Sequence, residues 1–170
     1  RPAPARVAPE RPVVSPRTVC FVIIGLDYAG AEIQLVEVVR RLRQRGWRIF
    51  VVSLITPAAF VRELDLLGVE VISLDLQRGE RLSLRMVRRF LGDVGRIAPD
   101  VIHGHMVHSN LLARLAAGWH RIPVAVATVH STWEGGRARA WMYRLTQRLG
   151  SVTTSVSEAG RDVHLKSGAS

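Results

Sequence analysis

TVCFVIIGLDYAGAE, residues 18–32, is a short apolar run followed by a loop with two glycines and the start of a charged, periodic segment. Residues 18–24 are rich in β-branched side chains, and a continuous apolar run of this length predicts a strand buried on both faces. From Ala31 to Arg45 apolar residues recur at helical spacing, and Gly46 is placed to end the helix. The stretch therefore predicts a strand–loop–helix unit, the building block of parallel sheets.

The same alternation continues to the end of the chain. Strands are predicted at 18–24, 48–54, 69–74, 101–103, 123–129 and 152–155, and helices at 31–45, 57–67, 82–97, 110–119, 137–149 and 158–166. Strands that alternate with helices imply right-handed crossovers and a parallel sheet covered on both faces. The expected fold class is α/β, a Rossmann-like doubly wound parallel sheet, with no internal repeat and no second domain.

Composition limits the classes that remain. The chain has 170 residues, of which 48% are hydrophobic, so it can bury one core. Its net charge of +10 favours anionic partners: phosphates, a membrane surface or nucleic acid. Cys20 is the single cysteine, which excludes an internal disulfide and a cysteine zinc cluster. The longest apolar run, 19–26, is too short to span a bilayer.

Proline-rich residues 1–17 predict a disordered leader, and both chain ends resemble cuts, so we expect a fragment of a longer protein.

Ligands of doubly wound sheets bind outside the carboxyl ends of the strands. That rule selects the loops GLDYAGAE, HGHMVHSN, HSTWEGG and SVSE, at 25–32, 103–110, 130–136 and 155–158. These loops contain four of the six histidines. The first loop could hold a phosphate at the helix N-terminus, but it lacks GxGxxG and a following GK[ST], so the dinucleotide and P-loop signatures are both missing.

The histidine-containing loops leave several interpretations open. His103 is expected to be buried and hydrogen-bonded, whereas His105 and His108 are expected in a loop as ligand-binding candidates. A metal site is disfavoured because no cysteine or carboxylate lies nearby. Ser109 or Asn110 is expected to cap the next helix.

His130 ends a predicted strand, where it could contact a hydroxyl or a phosphate, carry a proton, or only order its own loop. Glu134 could bind sugar hydroxyls or cap a helix. Ser157 is the expected N-cap of the last helix, and no G-x-S-x-G elbow is present. The helix at 82–97 carries arginines opposite an apolar stripe of Leu84, Val87, Leu91 and Val94; such a face is usually only solvated, but a membrane surface could also bind it. Nucleic-acid binding is disfavoured because no recognition motif accompanies the charge.

Four motifs in register resemble the N-terminal domain of family 4 (group 1) glycosyltransferases of GT-B architecture. They are the 25–32 loop with its continuation RQRGWRIFVV at 43–52, similar to the family's GGAE and RGHEV; APDVIHGH at 98–105, similar to kPDvvHaH; ATVH at 127–130, similar to vvtTvH; and TSVSE at 154–158, similar to the vSe helix start. The resemblance covers residues 18–170. The segment from 134 to 146 is similar to a subgroup involved in bacterial surface polysaccharide assembly.

The resemblance implies transfer of a sugar from a nucleotide-sugar donor to a saccharide or lipid-linked acceptor, with retention and with neither metal nor other cofactor. Gly30 and Ala31 would contact the donor diphosphate through backbone N–H groups, and His130 would be the catalytic residue near the transferred sugar. The acceptor-side candidates are Glu32, His105, Asn110 and Glu134. The first glycine of the family's pair is Ala29 here.

The resemblance also implies what lies outside the chain. The C-terminal donor domain of the family is missing, so these 170 residues alone are expected to be inactive. The expected location is cytoplasmic, peripheral at the inner face of the plasma membrane, and no nucleic-acid partner is expected. The alternative is a non-catalytic binding module for a phosphorylated or glycosylated ligand.

Overall fold

A computed structural model of the chain describes residues 17–77, 79–80, 82–130 and 137–166, with the backbone alone for 137–140, 143, 147 and 163–166. The predicted leader therefore lies outside the described residues, except for Arg17. The strands are β1 (Thr18–Ile23), β2 (Arg48–Ile55), β3 (Glu70–Leu76), β4 (Val101–His105), β5 (Val124–Val129) and β6 (Val152–Ser155). The helices are α1 (Gly30–Gln44), α2 (Val61–Leu66), α3 (Leu84–Ile97), α4 (Val107–His120), α5 (Arg137–Thr146) and α6 (Glu158–Lys166), with a 3₁₀ turn at Gln147–Leu149.

The described strands form one parallel sheet in the order β3-β2-β1-β4-β5-β6. The predicted Rossmann-like doubly wound sheet is confirmed. The strand order reverses between β1 and β4, and in such sheets a crevice opens at this switch point outside the carboxyl ends. The ends of β1, β4 and β5 therefore position the candidate site.

Alternating residues of β1 supply the two layers of the core. Cys20 and Val22 join one buried cluster, which includes Phe90 of α3 and Leu112 of α4. Val19, Phe21 and Ile23 join the other, which includes side chains of α1 and α2. This arrangement follows from the period of two in a strand, since successive side chains point to opposite faces. An apolar run without polar alternation is therefore what a central strand requires.

Two predicted helix starts are wrong, each for a local reason. The helix expected from Pro57 begins at Val61, because the N–H groups of Ala58 and Ala59 donate to the Leu26 carbonyl at 3.0 and 2.7 Å and hold that segment as a loop. The helix expected from Asn110 begins at Val107. Met106 turns the chain directly from β4 into α4 with φ of 68°, so neither Ser109 nor Asn110 caps that helix.

Gly46 and Ser157 act at helix ends as predicted, whereas the apolar stripe of α3 differs from the prediction. Gly46 adopts φ of 79° after α1, and the Ser157 hydroxyl accepts from the Gly160 N–H at 3.1 Å at the start of α6. In α3 the predicted stripe is shifted toward the C-terminus. Leu84 is 75% exposed, while Phe90 and Ile97 are buried with Val94.

Candidate functional site

The loop after β1 leads into α1, whose first residues are Gly30 and Ala31. The first bond of the helical ladder runs from the Ile33 N–H to the Ala29 carbonyl at 3.0 Å, so the N–H groups of Gly30 and Ala31 precede the ladder. A Cβ at Gly30 would meet no described atom within 4 Å. The space above this backbone is open to a ligand, and the positive end of the helix dipole favours an anion there.

Glu32, in the first turn of α1, is buried with 6% of its surface exposed. Its Oε2 has no hydrogen-bond partner among the described residues. Burial raises the pKa of this carboxyl, and the charge of Asp27 adds to the rise. A buried polar atom without a partner is costly, so a donor group on a ligand would find a favourable position at Oε2.

Glu32 faces a cleft of about 620 Å³ at the carboxyl ends of β1, β2 and β3. Its lining combines apolar side chains with acidic ones. The apolar lining is Ile24, Leu54, Ile55, Leu76, Leu82 and Met106, and the acidic lining is Asp27, Glu32 and Glu80. Such a surface can bind a ligand that has hydroxyl groups beside an apolar ring face. The carboxylates accept hydrogen bonds from the hydroxyls, and the aliphatic side chains cover the C–H groups of the ring.

His130 follows β5 and touches a histidine from the neighbouring strand. Its Nε2 lies 3.0 Å from the Nδ1 of His105, the last residue of β4. The His105 ring is 2% exposed and stacks on His103 with centroids 4.3 Å apart. Phe21 of β1 lies against both of these rings, with centroids 5.3 Å from His103 and 5.9 Å from His105. An aromatic floor thus supports the histidine cluster, which we define as His103, His105 and His130.

Hydrogen bonds across β4, β5 and β6 fix the base of this cluster. His103 Nε2 lies 2.7 Å from the Thr128 hydroxyl, which lies 2.8 Å from the Thr154 hydroxyl. This contact confirms the expectation that His103 is hydrogen-bonded, although the side chain is partly rather than fully buried. Because each group has a neighbour on the next strand, the polar atoms at this edge are held in one arrangement.

The electrostatics keep the histidine cluster neutral. Burial lowers the pKa of His105 to about 2, with smaller contributions from His103 and His130. Burial, and then the charge of His130, lowers the pKa of His103 to about 4. Burial also lowers the pKa of His130. At neutral pH each ring therefore has one N–H donor and one nitrogen acceptor.

Asn110 is fully buried in α4 and donates from Nδ2 to the Thr128 carbonyl at 3.0 Å. The Met106 N–H donates to the same carbonyl at 3.1 Å. These contacts anchor the β4–α4 turn to the end of β5, so Asn110 holds the turn that follows His105.

Several of the sequence-predicted residues lie where a ligand could reach them. Gly30 and Ala31 begin α1, and Glu32 faces the cleft. His108 was expected in a loop, but it lies in the first turn of α4, where it also lines the cleft. His105 was expected in a loop, but it lies within β4 and is buried behind half-buried His130. Glu134 lies outside the described residues. Asp27 and Glu80 of the cleft were not singled out, although Asp27 stands in the first loop, where a carboxylate five residues before Glu32 was a readable signal.

Among the described residues, no group of three His, Cys, Asp or Glu side chains is placed to hold a metal ion. Within the same part of the chain, no helix is both long enough and apolar enough to span a membrane.

The family model of Glycosyltransferase Family 4 matches residues 28–169, which include the N-terminus of α1 and the ends of β4 and β5. The chain belongs to that family. No curated protein matches the chain at a significant level.

Solved structures share the fold at low sequence identity. The chain is similar to Anabaena HepE, solved with UDP and glucose, with 18% identity and a TM-score of 0.69 over 89% of this chain and 41% of that chain. It is similar to the lipopolysaccharide outer core galactosyltransferase WaaB, with 13% identity and a TM-score of 0.64 over 90% and 43%. It is also similar to the UDP-GlcNAc 2-epimerase of Neisseria meningitidis, with 17% identity and a TM-score of 0.56 over 89% and 43%.

The chain thus spans about two fifths of the length of these proteins. Since a galactosyltransferase and an epimerase share the fold, the fold alone does not separate these reactions. The family match makes the chain a glycosyltransferase module, corresponding to one half of a GT-B fold.

Proposed function

We propose that the chain is the acceptor-binding half of a retaining glycosyltransferase, which moves a sugar from a nucleotide-sugar donor to a glycan or lipid-linked acceptor. The observation that carries the proposal is the family match over residues 28–169, which covers most of the chain. The cleft supports the acceptor role, because Glu32 presents a buried oxygen to it without a partner among the described residues. A sugar hydroxyl would supply the missing donor.

His130 is the proposed catalytic residue, in contact with the transferred sugar, and no metal or other cofactor is required. Two features support binding of the donor diphosphate. The space at Gly30 is open, and the N–H groups of Gly30 and Ala31 precede the hydrogen-bond ladder of α1. His105 and Asn110 are buried, so we assign their part in acceptor binding to support of the loops that contact it. Glu134 remains an acceptor-side candidate from the family resemblance.

Substituting Gly30 by alanine tests the diphosphate contact. Because a Cβ at this position meets no described atom, the Gly30→Ala variant should fold normally, yet its methyl would stand where the phosphate approaches. We expect the affinity for UDP, followed by amide chemical shifts, to fall about tenfold, which corresponds to roughly 1.4 kcal/mol.

Gly92→Ala is the matched control, since it also adds a methyl to an open helical position, but in α3. It should bind UDP like the parent chain. Equal UDP affinity of the two variants would place the diphosphate elsewhere.

The purified chain alone is expected to transfer no sugar. In this proposal the chain supplies only the diphosphate contact at Gly30 and Ala31, and a donor domain supplies the other contacts to the nucleotide sugar. The described residues form one sheet with its helices. The measurement is product formation from UDP-glucose with methyl glycosides as acceptors. Turnover by residues 1–170 would overturn this expectation.

The alternative is a non-catalytic module that binds a phosphorylated or glycosylated ligand in the same crevice. The gene sequence beyond codon 170 separates the two proposals. A donor-type domain in frame supports the transferase, and an immediate stop codon supports the module.

Bacterial surface polysaccharide assembly is the proposed pathway, with the protein cytoplasmic and peripheral at the inner face of the plasma membrane. The likeness to WaaB, described as a lipopolysaccharide outer core galactosyltransferase, is consistent with it.

On α3 the exposed arginines Arg85, Arg88 and Arg89 lie near Leu82 and Leu84, which are 36% and 75% exposed. Basic and apolar groups side by side favour an anionic lipid surface.

Reversing the charge of Arg85, Arg88 and Arg89 to glutamate tests this surface. Since each arginine near an anionic bilayer contributes about 1 kcal/mol, we expect binding to vesicles containing phosphatidylglycerol to fall at least about tenfold. The control reverses Arg45, Arg62 and Arg144, exposed arginines of other segments, with the same change in net charge. Equal loss in both variants would leave only a general charge effect.

A further inference from the structure

The hydrogen bond between His105 and His130 allows two positions for its proton. Both rings are neutral, so exactly one of the two nitrogens that meet at 3.0 Å carries the shared proton. Either His105 Nδ1–H donates to His130 Nε2, or His130 Nε2–H donates to His105 Nδ1. Each choice also determines what the other nitrogen of each ring must do.

The burial of His105 distinguishes the two arrangements. Its Nε2 is buried and has no hydrogen-bond partner among the described residues. If His105 accepted from His130, its own proton would lie on Nε2, as a buried N–H without an acceptor. If His105 donates, Nε2 is a bare lone pair instead. Orphaned buried N–H groups are rarer in proteins than under-satisfied acceptors, so the arrangement in which His105 donates is favoured.

The surroundings hold His105 in this orientation. His103 stacks on one side of the ring, and Phe21 lies against it at 5.9 Å between centroids. His103 in turn is held by the Thr128 hydroxyl at 2.7 Å. A ring packed in this way cannot turn by half a rotation, which would place Cδ2 where Nδ1 lies, without displacing its neighbours.

We propose that His105 is a positioning residue, which donates from Nδ1 to His130 Nε2 and so keeps the proton of neutral His130 on Nδ1. The half-buried His130 then offers its Nδ1–H to an oxygen of the substrate, a sugar hydroxyl or a phosphate, while its Nε2 is occupied. The inference rests on the proposed function only for the identity of that substrate. The tautomer itself is a property of the free chain.

Imidazole nitrogen NMR tests the tautomer without ligand. Long-range proton–nitrogen correlation spectra of the labelled 170-residue chain, at about pH 8 where histidine is neutral, separate protonated from bare ring nitrogens. His130→Gln identifies the His130 signals by their loss. We expect a protonated Nδ1 on His130, preferred roughly tenfold over the other tautomer. A protonated Nε2 on His130 in the parent chain would overturn the proposal.

Two nearly matched variants test the part that His105 plays. His105→Asn retains an amide N–H where the imidazole Nδ1 lies, whereas His105→Gln places its amide at the position of Nε2. We expect His130 to keep its tautomer in the first and to return, in the second, toward the Nε2–H form that free histidine prefers. Circular dichroism and the urea midpoint check that both variants fold.

An unchanged His130 tautomer in folded His105→Gln would overturn the assignment to His105. These spectra are independent of sugar transfer. If the tautomer is as proposed and the full gene product transfers no sugar, the proposed function fails and the positioning contact stands. If transfer is found but His130 carries its proton on Nε2, the reverse holds.

Discussion

Acidification from about pH 7 to about pH 5 is expected to lower the free energy of unfolding by about 3–4 kcal/mol through the buried His105 and the partly buried His103. In the unfolded chain a histidine has a pKa of about 6.5 and takes up a proton within this range. In the folded chain burial holds the pKa of His105 at about 2 and that of His103 at about 4. The unfolded state therefore binds more protons than the folded state, and the free energy of unfolding decreases as the pH is lowered.

The pKa values in the two states determine the direction of the stability change and the pH range in which it occurs. The contribution is fully present above about pH 6.5 and is lost progressively as the pH falls toward the folded pKa values. Each imidazole contributes about 2 kcal/mol over the two pH units. Glu32 acts in the opposite direction, because its raised pKa favours protonation in the folded chain. Urea unfolding at several pH values, followed by circular dichroism, gives the measurement.

His105→Asn separates the histidine contribution from that of the carboxyl groups. The variant removes one titrating group while leaving Glu32 and His103 in place, so about half of the acid loss should disappear. If the parent chain and His105→Asn lose stability equally between these pH values, His105 is not the neutral buried group that the structure describes.

Gly104→Ala is expected to destabilise the chain by about 3 kcal/mol, near the upper end of the usual range for overpacking. A Cβ on Gly104 would lie 2.7 Å from the Cα and 2.8 Å from the backbone nitrogen of Asn110. These are backbone atoms of α4, which cannot rotate away as a side chain can. The helix must therefore move off β4, weakening the bond of Asn110 to the Thr128 carbonyl.

Gly92→Ala again serves as the matched control. It adds the same methyl to an open position of α3, where alanine is a better helix former than glycine, so its stability should be unchanged or up to about 1 kcal/mol higher. The measurement is the urea midpoint of both variants. Coincident midpoints would show that α4 does not lie against Gly104 as closely as the structure places it.

The order of elements was predictable because it depends on local patterns. The apolar run at 18–24 required a strand covered on both faces, and the helical spacing after Ala31 required a helix beside it. Gly46 and Ser157 end and begin helices by local backbone chemistry. The predicted helix starts at Pro57 and Asn110 failed where contacts distant in sequence, from the Leu26 and Thr128 carbonyls, determine the path of the chain.

The order of residues along the chain predicts the strand alternation, the sheet edge at which the site lies and the histidines at that edge. Which of these histidines meet depends on how the strands are arranged in the sheet. His105 and His130 are 25 residues apart, and they touch because β4 and β5 are neighbours in the sheet. The cleft facing Glu32 likewise needs the ends of β1, β2 and β3 together. Periodicity reports the neighbours of a residue along its own element, whereas contacts between strand ends depend on sheet order and register.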